Sequence, residues 1–324
     1  MTGLREPPKQ EKASRVLVRI LVLILLLLAV ATAIWTTTTK TLLRATEHAS
    51  FESLEIDTRH TRAGATVNII EEPGGPVPVV LLHGYDVSGG TLWDGVVSRL
   101  DEPYHAVRID LPGFGMSDRL PEKGPGHTVA SMAEVVAAVI ESDLDFPAVV
   151  VWVGLGGEVA AELALTKPDL VRGIVMIDVD FWESRSWIEI AERLPWIGEA
   201  VTYTFETGGQ FSMDQWAPWC DEDGWCPTKD QADARDLAAS IVNSAASMRS
   251  FLRTSPASLV PSDLDLIEVP VTYVWSSRGV VPQNSVDRIA TAITEEFELV
   301  AVDSHQAQLE NPEAVAAAVA TVDP

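Results

Sequence analysis

Short apolar runs alternate with stretches of helical spacing along most of the chain. ATVNII and VPVVLLHG have the continuous, β-branched character of buried strands. HTVASMAEVVAAVIES begins with a threonine cap and keeps its apolar residues at a period of 3.6, which predicts a helix. Strands that alternate with helices form crossover units. We therefore predict an α/β fold class, with a mostly parallel central sheet and helices on both of its faces.

This alternation stops between Phe181 and about Ser262. The segment holds six of the ten tryptophans, both cysteines and several short helical stretches. Strand and helix patterns return after it and continue to the end of the chain. We therefore predict an inserted helical lid within one α/β core. The core is expected to span residues 51–180 and 263–324, and the lid residues 181–262.

The first fifty residues have a different character. Among the first 19 residues, five are basic and two acidic, and residues 20–35 carry no charge and end in a tryptophan. A membrane-spanning helix needs about 20 apolar residues, a length that this run reaches when the valines and leucine before it are counted. Basic residues favour the cytoplasmic side. We predict a cytoplasmic tail (residues 1–15), a single-pass anchor (16–35) and a polar stalk (36–50).

A cleaved signal peptide is the alternative interpretation of the same segment. Ala31-Thr32-Ala33 fits the small-x-small pattern of a cleavage site, and cleavage would give a secreted protein. Both interpretations place the main domain outside the cytoplasm. In that environment, Cys220 and Cys226 of the stretch CDEDGWC are expected to form a disulfide. A metal site there is disfavoured, because no histidine or further cysteine lies nearby.

Composition narrows the range of partners. The chain has 324 residues, 47% of them hydrophobic, and a formal net charge of -24. A globular domain of this size can bury a large core. So acidic a surface repels phosphate backbones, and we expect no nucleic-acid partner.

Four segments, taken in order, carry a family resemblance. LLHGYDVSGGTLWD is similar to an oxyanion loop after a third strand, and RIDLPGFGMSD to the turn after a fourth. VVVWVGLGGEVAAELA occupies the position of a nucleophile elbow, and AVDSHQAQLENPEAV that of the last strand, catalytic histidine and closing helix. Over about residues 51–324 the chain resembles the α/β-hydrolase superfamily, which implies chemistry by a serine, a histidine and an acid.

The elbow departs from the pattern G-x-S-x-G. The resemblance puts Trp152 at the first glycine, Gly154 at the nucleophile and Gly156 at the last glycine. No Ser, Cys or Asp occurs between Asp145 and Glu158, so no other alignment supplies a nucleophile.

The remaining roles are only partly filled. His305 matches the base of the family. The usual acid position falls at Gly279, whereas Asp178 matches an acid position used by some members. Asp178 is also explained by the preference for aspartate at a strand end. The implied oxyanion donors are the backbone N–H groups of Tyr85 and Leu155, which a change of side chain does not remove.

Three functions follow from these residues. The first is a catalytically impaired domain that binds a small apolar molecule or a protein. The second is a hydrolase or lyase for an apolar ester-like substrate, with His305 as base and water or substrate beside Gly154. The third is a dinucleotide site at GLGGEV, but Val159 stands where G-x-G-x-x-G needs its last glycine. We therefore expect no nucleotide and no other cofactor.

Overall fold

A single twisted sheet forms the centre of the protein. The computed structural model describes residues 9–54, 56–119, 128–144, 147–154, 156–181, 187–204, 226, 228–254, 261–294 and 296–323. Its strand order is β1-β2-β4-β3-β5-β6-β7-β8. The two pairings that involve β2 are antiparallel and the others are parallel. The strands are β1 (Arg59–Arg62), β2 (Ala65–Glu71), β3 (Val77–Leu82), β4 (Tyr104–Ile109), β5 (Ala148–Val153), β6 (Val171–Ile177), β7 (Val271–Ser276) and β8 (Phe297–Val302).

Helices cover both faces of this sheet. Val80 and Leu82 of β3 join one apolar cluster with residues from several helices, whereas Val79 and Leu81 join a second cluster with the last helix. The predicted α/β-hydrolase fold class is confirmed by this arrangement. The α-helices are α1 (Lys9–Thr46), α2 (Asp94–Val97), α3 (Val129–Asp143), α4 (Gly156–Thr166), α5 (Trp187–Glu192), α6 (Gly198–Thr202), α7 (Lys229–Ser240), α8 (Ser244–Thr254), α9 (Gln283–Ala292), α10 (Ala307–Glu310) and α11 (Pro312–Thr321).

The predicted threonine cap of α3 is present. The Thr128 hydroxyl oxygen accepts the Ser131 N–H at 3.1 Å, and the Ser131 hydroxyl accepts the Thr128 N–H at 3.1 Å. This reciprocal box fixes where the helix begins. The edge strand β1 has no apolar run, because its residues Arg59–Arg62 are only partly buried. The sequence pattern therefore does not reveal it.

The N-terminal helix α1 is longer than the predicted anchor. Its residues Val16–Thr46 are long and apolar enough to cross a membrane, with a mean hydropathy of 2.9 over the most apolar window. The segment predicted as a polar stalk continues this helix to Thr46. Its threonine hydroxyls are satisfied within the helix: Thr37 donates to the Ala33 carbonyl at 2.8 Å, and Thr41 to the Thr37 carbonyl at 3.0 Å.

The last turns of α1 pack on the β6–β7 insertion (residues 181–262). Leu43 is buried in a small cluster with Tyr203, which follows α6, and Ala245 of α8. One turn earlier, Lys40 lies 3.1 Å from Glu199 of α6. The two contacts hold α6 beside α1.

Glu47 closes this contact just beyond the end of α1. Its carboxylate accepts the backbone N–H groups of Asn243 at 3.0 Å and Ala245 at 2.8 Å, at the start of α8. A carboxylate at a helix N-terminus satisfies donors that have no partner within the helix. Burial raises the pKa of Glu47, against the opposing effect of these two hydrogen bonds.

Candidate functional site

The turn between β5 and α4 has the shape of a nucleophile elbow. Gly154 lies at a φ of +53°. Its N–H donates to the Ile177 carbonyl at 3.1 Å, and its carbonyl accepts the Gly157 N–H at 2.9 Å. A Cβ at Gly156 would fall less than 3.0 Å from the His83 carbonyl oxygen, whereas a Cβ at Gly154 would have no atom within 4 Å. The sharp turn is therefore kept, and the space of the nucleophile side chain is open.

Trp152 precedes this turn as a core residue. Its side chain is fully buried in the apolar cluster that includes residues of α3 and α4. A Cβ at Gly157 would lie less than 3.0 Å from the indole Nε1. The indole therefore fills the volume that a glycine at position 157 leaves free.

His305 lies in the loop after β8, beside a buried carboxylate. Its Nδ1 is 3.6 Å from Oε1 of Glu310 in α10, whose side chain is 5% exposed. The Glu310 oxygens also accept the backbone N–H of His305 at 3.0 Å and that of Gln306 at 3.1 Å. Glu310 thus orients the loop and lies within ion-pair distance of the imidazole. Sequence reasoning missed it, although it stands only five residues after His305.

Asp178 has a different partner. It ends β6 at a φ of +48°, and its two carboxylate oxygens accept the N–H of Ser276 at 2.7 Å and the hydroxyl of Ser276 at 2.6 Å. The Ser276 oxygen in turn accepts the Ser304 hydroxyl at 3.1 Å and the Ala307 N–H at 2.9 Å. Asp178 therefore supports the loop that carries His305, which agrees with a strand-end role. A role as acid toward His305 stays a prediction.

Burial is the main reason that the pKa of Asp178 rises to about 6, and its hydrogen bonds with Ser276 only partly oppose the rise.

The substitution Asp178→Asn tests this pKa shift through the pH dependence of the free energy of unfolding. The protonated form is favoured in the folded state, so Asp178 stabilises the fold fully below about pH 4 and loses this contribution as pH rises through 6. We expect the wild type to lose about 2–3 kcal/mol relative to the variant between pH 4 and pH 7. Urea unfolding of both proteins across this range measures it. Parallel pH profiles would contradict the assignment.

Gly279 stands against the His305 loop. Its N–H donates to the Ser276 carbonyl at 2.9 Å, and an added Cβ would lie 3.0 Å from the carbonyl oxygens of both His305 and Ser276. A carboxylate at the usual acid position would therefore need the loop to move. The backbone around position 279 is therefore packed for a glycine.

The predicted oxyanion donors are only partly described. Tyr85 follows β3, and its ring packs against Phe114 at 5.8 Å and against Phe251 of α8 at 6.4 Å between ring centroids. Leu155 lies outside the described residues, so the oxyanion hole stays a prediction. Cys220 also lies outside them, and the disulfide with Cys226 stays a prediction as well. Among the described residues, no group of three or more His, Cys, Asp or Glu side chains is arranged to hold a metal ion.

A buried carboxylate holds the turn after β4. Asp110, 4% exposed, accepts hydrogen bonds from the Asn68 amide at 2.9 Å and from the N–H groups of Gly90 at 2.5 Å and Met116 at 2.7 Å. These donors come from three separate segments of the chain. Asp110 therefore joins β2 and the loop after β3 to the turn DLPGFGMSD.

A half-buried arginine connects the same turn to the insertion. Arg119 donates to the carbonyls of Ser117, Gly115 and Ala238 at 2.7–2.9 Å, and its Nε donates to the Ser244 hydroxyl at 2.8 Å. Burial lowers the pKa of Arg119 to about 10, although the charges of Asp110 and Glu47 oppose the shift. The guanidinium thus bonds the core to both α7 and α8.

His83 fixes the start of the loop after β3. It is fully buried, its Nε2 accepts the Leu111 N–H at 3.0 Å, and its Nδ1 donates to the Gly84 carbonyl at 2.7 Å. Burial lowers its pKa, so the neutral ring is held in a single tautomer. The histidine of LLHG is therefore structural.

Comparison with known proteins agrees with this architecture. The sequence model of the family described as alpha/beta hydrolase fold matches residues 77–312. The chain belongs to the α/β-hydrolase family. Over 127 residues it is 32% identical to a pimeloyl-[acyl-carrier protein] methyl ester esterase of Aeromonas salmonicida, covering 39% of this chain and 47% of the esterase. Over 105 residues it is 33% identical to the esterase of that name from Yersinia pestis, covering 32% and 36%. The chain thus spans less than half of the length of these curated relatives.

Solved structures of α/β-hydrolases superpose over most of the chain. A meta-cleavage product hydrolase from Pseudomonas fluorescens has a TM-score of 0.67 at 17% identity, covering 83% of this chain and 98% of that one. A thermophilic esterase from Thermogutta terrifontis has a TM-score of 0.64 at 20% identity, covering 82% and 95%. At these identities the likeness establishes the fold of this α/β-hydrolase and leaves its chemistry to the site residues.

Proposed function

We propose that this α/β-hydrolase is an exported, membrane-tethered protein that lacks efficient ester hydrolysis and binds a small apolar ligand beneath its insertion. The observation that carries the proposal is Gly154, where the elbow is present and the nucleophile side chain is not. Glycine relieves the strain of about 1–3 kcal/mol that a side chain would have at this φ. The turn is then a stable part of the fold with no covalent step to perform.

The surroundings of the turn favour an apolar ligand. Tyr85, Phe114 and Phe251 form an aromatic group between the core and α8, with Phe114 and Phe251 at 5.9 Å between ring centroids. Ligand sites are lined mainly by apolar and aromatic side chains with few polar groups. The named relatives are pimeloyl-[acyl-carrier protein] methyl ester esterases, and a medium-chain methyl ester is therefore a suitable first probe.

The anchor and its orientation complete the proposal. The apolar part of α1 supports the anchor, and the basic tail before it favours an orientation with the tail in the cytoplasm and the α/β-hydrolase domain on the extracytoplasmic side. In the alternative, cleavage within residues 31–33 would release the domain.

A second candidate function rests on the contact between His305 and Glu310. A histidine within ion-pair distance of a buried carboxylate can serve as a general base, and the open space at Gly154 can admit water. Sites that lack triad members keep about thousand-fold catalysis over water. The second candidate is therefore a slow hydrolase or lyase for an apolar ester.

Hydrolysis of short and medium p-nitrophenyl esters by the full chain in detergent separates the two functions. We expect no turnover above the blank for the wild type, and the same for Gly154→Ser, since Gly279 leaves the usual acid position empty. His305→Ala is the control. Wild-type turnover that disappears in His305→Ala would contradict the binding proposal and support the second candidate.

Thermal unfolding with medium-chain methyl esters is the positive test of binding. A ligand at a hundred times its Kd stabilises the folded state by about 2.7 kcal/mol. We expect the esters to raise the Tm of the wild type, and to raise the Tm of Phe251→Ala by less. Each rise is measured against the same protein without ligand and at the same ester concentration. An unchanged Tm over the soluble range of these esters would contradict this choice of ligand.

A further inference from the structure

Three large apolar side chains described in residues 187–204 of the insertion are exposed. They are Ile190 of α5 (54% exposed), Leu194 (45%) and Trp196 (77%), which lies just before α6. Among the large apolar residues described, Trp196 has the highest exposed fraction. Exposed apolar residues that form one patch mark sites of contact with a protein or a membrane.

The contacts between α1 and α6 fix where this surface lies. Lys40 pairs with Glu199, and one turn later Leu43 packs on Tyr203. The two helices therefore run side by side in the same direction, away from the apolar segment of α1. The chain that precedes Glu199 then leads back toward that segment.

Distances along the chain bring Trp196 level with the end of the apolar segment. Trp35 is five residues before Lys40, about 7.5 Å at the rise of an α-helix. Trp196 is three residues before Glu199, within about 10 Å of it at the reach of a polypeptide chain. The two tryptophans can therefore lie at the same height along α1.

Burial along α1 supports the absence of a spacer. Large apolar residues from Val16 to Ile34 are exposed all around the helix, but Trp35 and Thr36 are already partly covered, and Thr39 is buried. The folded domain thus begins where the apolar segment ends. A domain placed in this way meets the headgroup layer directly.

We infer that Ile190, Leu194 and Trp196 contact the bilayer that α1 crosses, with Trp196 at the level of the lipid headgroups. This inference rests on the membrane tether proposed above. Tryptophan suits this layer because its ring is apolar and its N–H remains in a polar environment. The insertion, which adjoins the candidate site, is then held against the source of apolar ligands.

The test uses the full chain with a cysteine at position 196 or 266. Trp196→Cys probes the proposed contact, and Leu266→Cys is the matched control. Leu266 is 61% exposed. It precedes the N-terminal end of β7, whereas Gly154 follows the C-terminal end of the parallel strand β5. Each protein is labelled with a thiol-reactive fluorophore and reconstituted into phosphatidylcholine vesicles, with or without lipids that carry a spin label near the headgroup. Wild-type protein treated with the same reagent gives the background from the native cysteines.

Flotation of the vesicles distinguishes failure of the proposed contact at Trp196 from failure of the membrane tether. We expect both variants to float with the lipid, and spin-labelled lipid to quench the fluorophore at position 196 about threefold more than the one at 266. Flotation with equal quenching overturns the contact and leaves the tether intact. Protein that does not float overturns both. Disulfide-linked dimers of unlabelled Trp196→Cys under oxidising conditions, together with equal quenching of the labelled protein, would overturn the bilayer contact and identify a second copy of the chain as the occupant.

Discussion

Alanine in place of Gly156 is expected to lower the free energy of unfolding by about 3 kcal/mol or more. The added Cβ would collide with the His83 carbonyl oxygen, and both groups are backbone or attached to it, so no side-chain rotation relieves the overlap. Relief would require α4 to move away from the end of β3. Urea unfolding monitored by circular dichroism measures the loss.

Gly154→Ala is the matched control for this experiment. Both glycines lie in the same turn, but a Cβ at Gly154 meets no atom within 4 Å and suffers only from the positive φ. That strain costs about 1–2 kcal/mol. Equal decreases in the free energy of unfolding of the two variants would mean that the turn can shift to accommodate the Cβ at position 156. That result would contradict a rigid turn.

Asp110→Ala is expected to destabilise the protein by about 3–5 kcal/mol, because three buried donors lose their acceptor. Two of these donors are backbone N–H groups, those of Gly90 and Met116, which have no side chain to reorient. The removal also leaves Asn68 without the acceptor of its side-chain amide. We expect a lower urea midpoint with an unchanged m-value.

An exposed aspartate supplies the comparison. Asp101→Ala alters a residue on the surface before β4 and should change the free energy of unfolding by no more than about 0.5 kcal/mol. A loss of similar size in both variants would point to a general effect of net charge, and the Asp110 network would lose its special role.

The order of strands and helices could be predicted because each central strand is an uninterrupted apolar run. β3 and β5 are buried along nearly their whole length, which is the pattern that parallel sheets require. β1 could not be predicted, since an edge strand with one face in water needs no such run. Its pairing depends on β2, a neighbour that only the folded chain provides.

The positions of site residues could be predicted from the sequence where they depend only on the order of strands and turns. Gly154 and His305 lie at the elbow and after the last strand, as their flanking patterns indicate. The partners of the acids could not be predicted, because they depend on which side chains meet across the sheet edge. Asp178 meets Ser276 of the neighbouring strand, and the carboxylate near His305 is Glu310.

The segment 36–50 shows how packing overrides composition. Threonine has a modest helix propensity, so a polar threonine run favours the interpretation as a stalk. In the folded chain the same residues form the last turns of α1, because Leu43 and Thr39 are buried by tertiary packing. Nothing in the local sequence indicates the insertion surface against which they pack.

The four hydrogen bonds of Arg119 decide how the insertion can open. Two of them stay within the core turn, and the other two end on the Ala238 carbonyl of α7 and the Ser244 hydroxyl of α8, so these helices cannot separate from the core without breaking two hydrogen bonds of a charged group. A hydrogen bond to a charged group contributes about 1.5–3 kcal/mol. Arg119 therefore opposes a hinge motion of α7 and α8 away from the core. A molecule that reaches the elbow without such a motion has to pass through openings that leave the two helices in place.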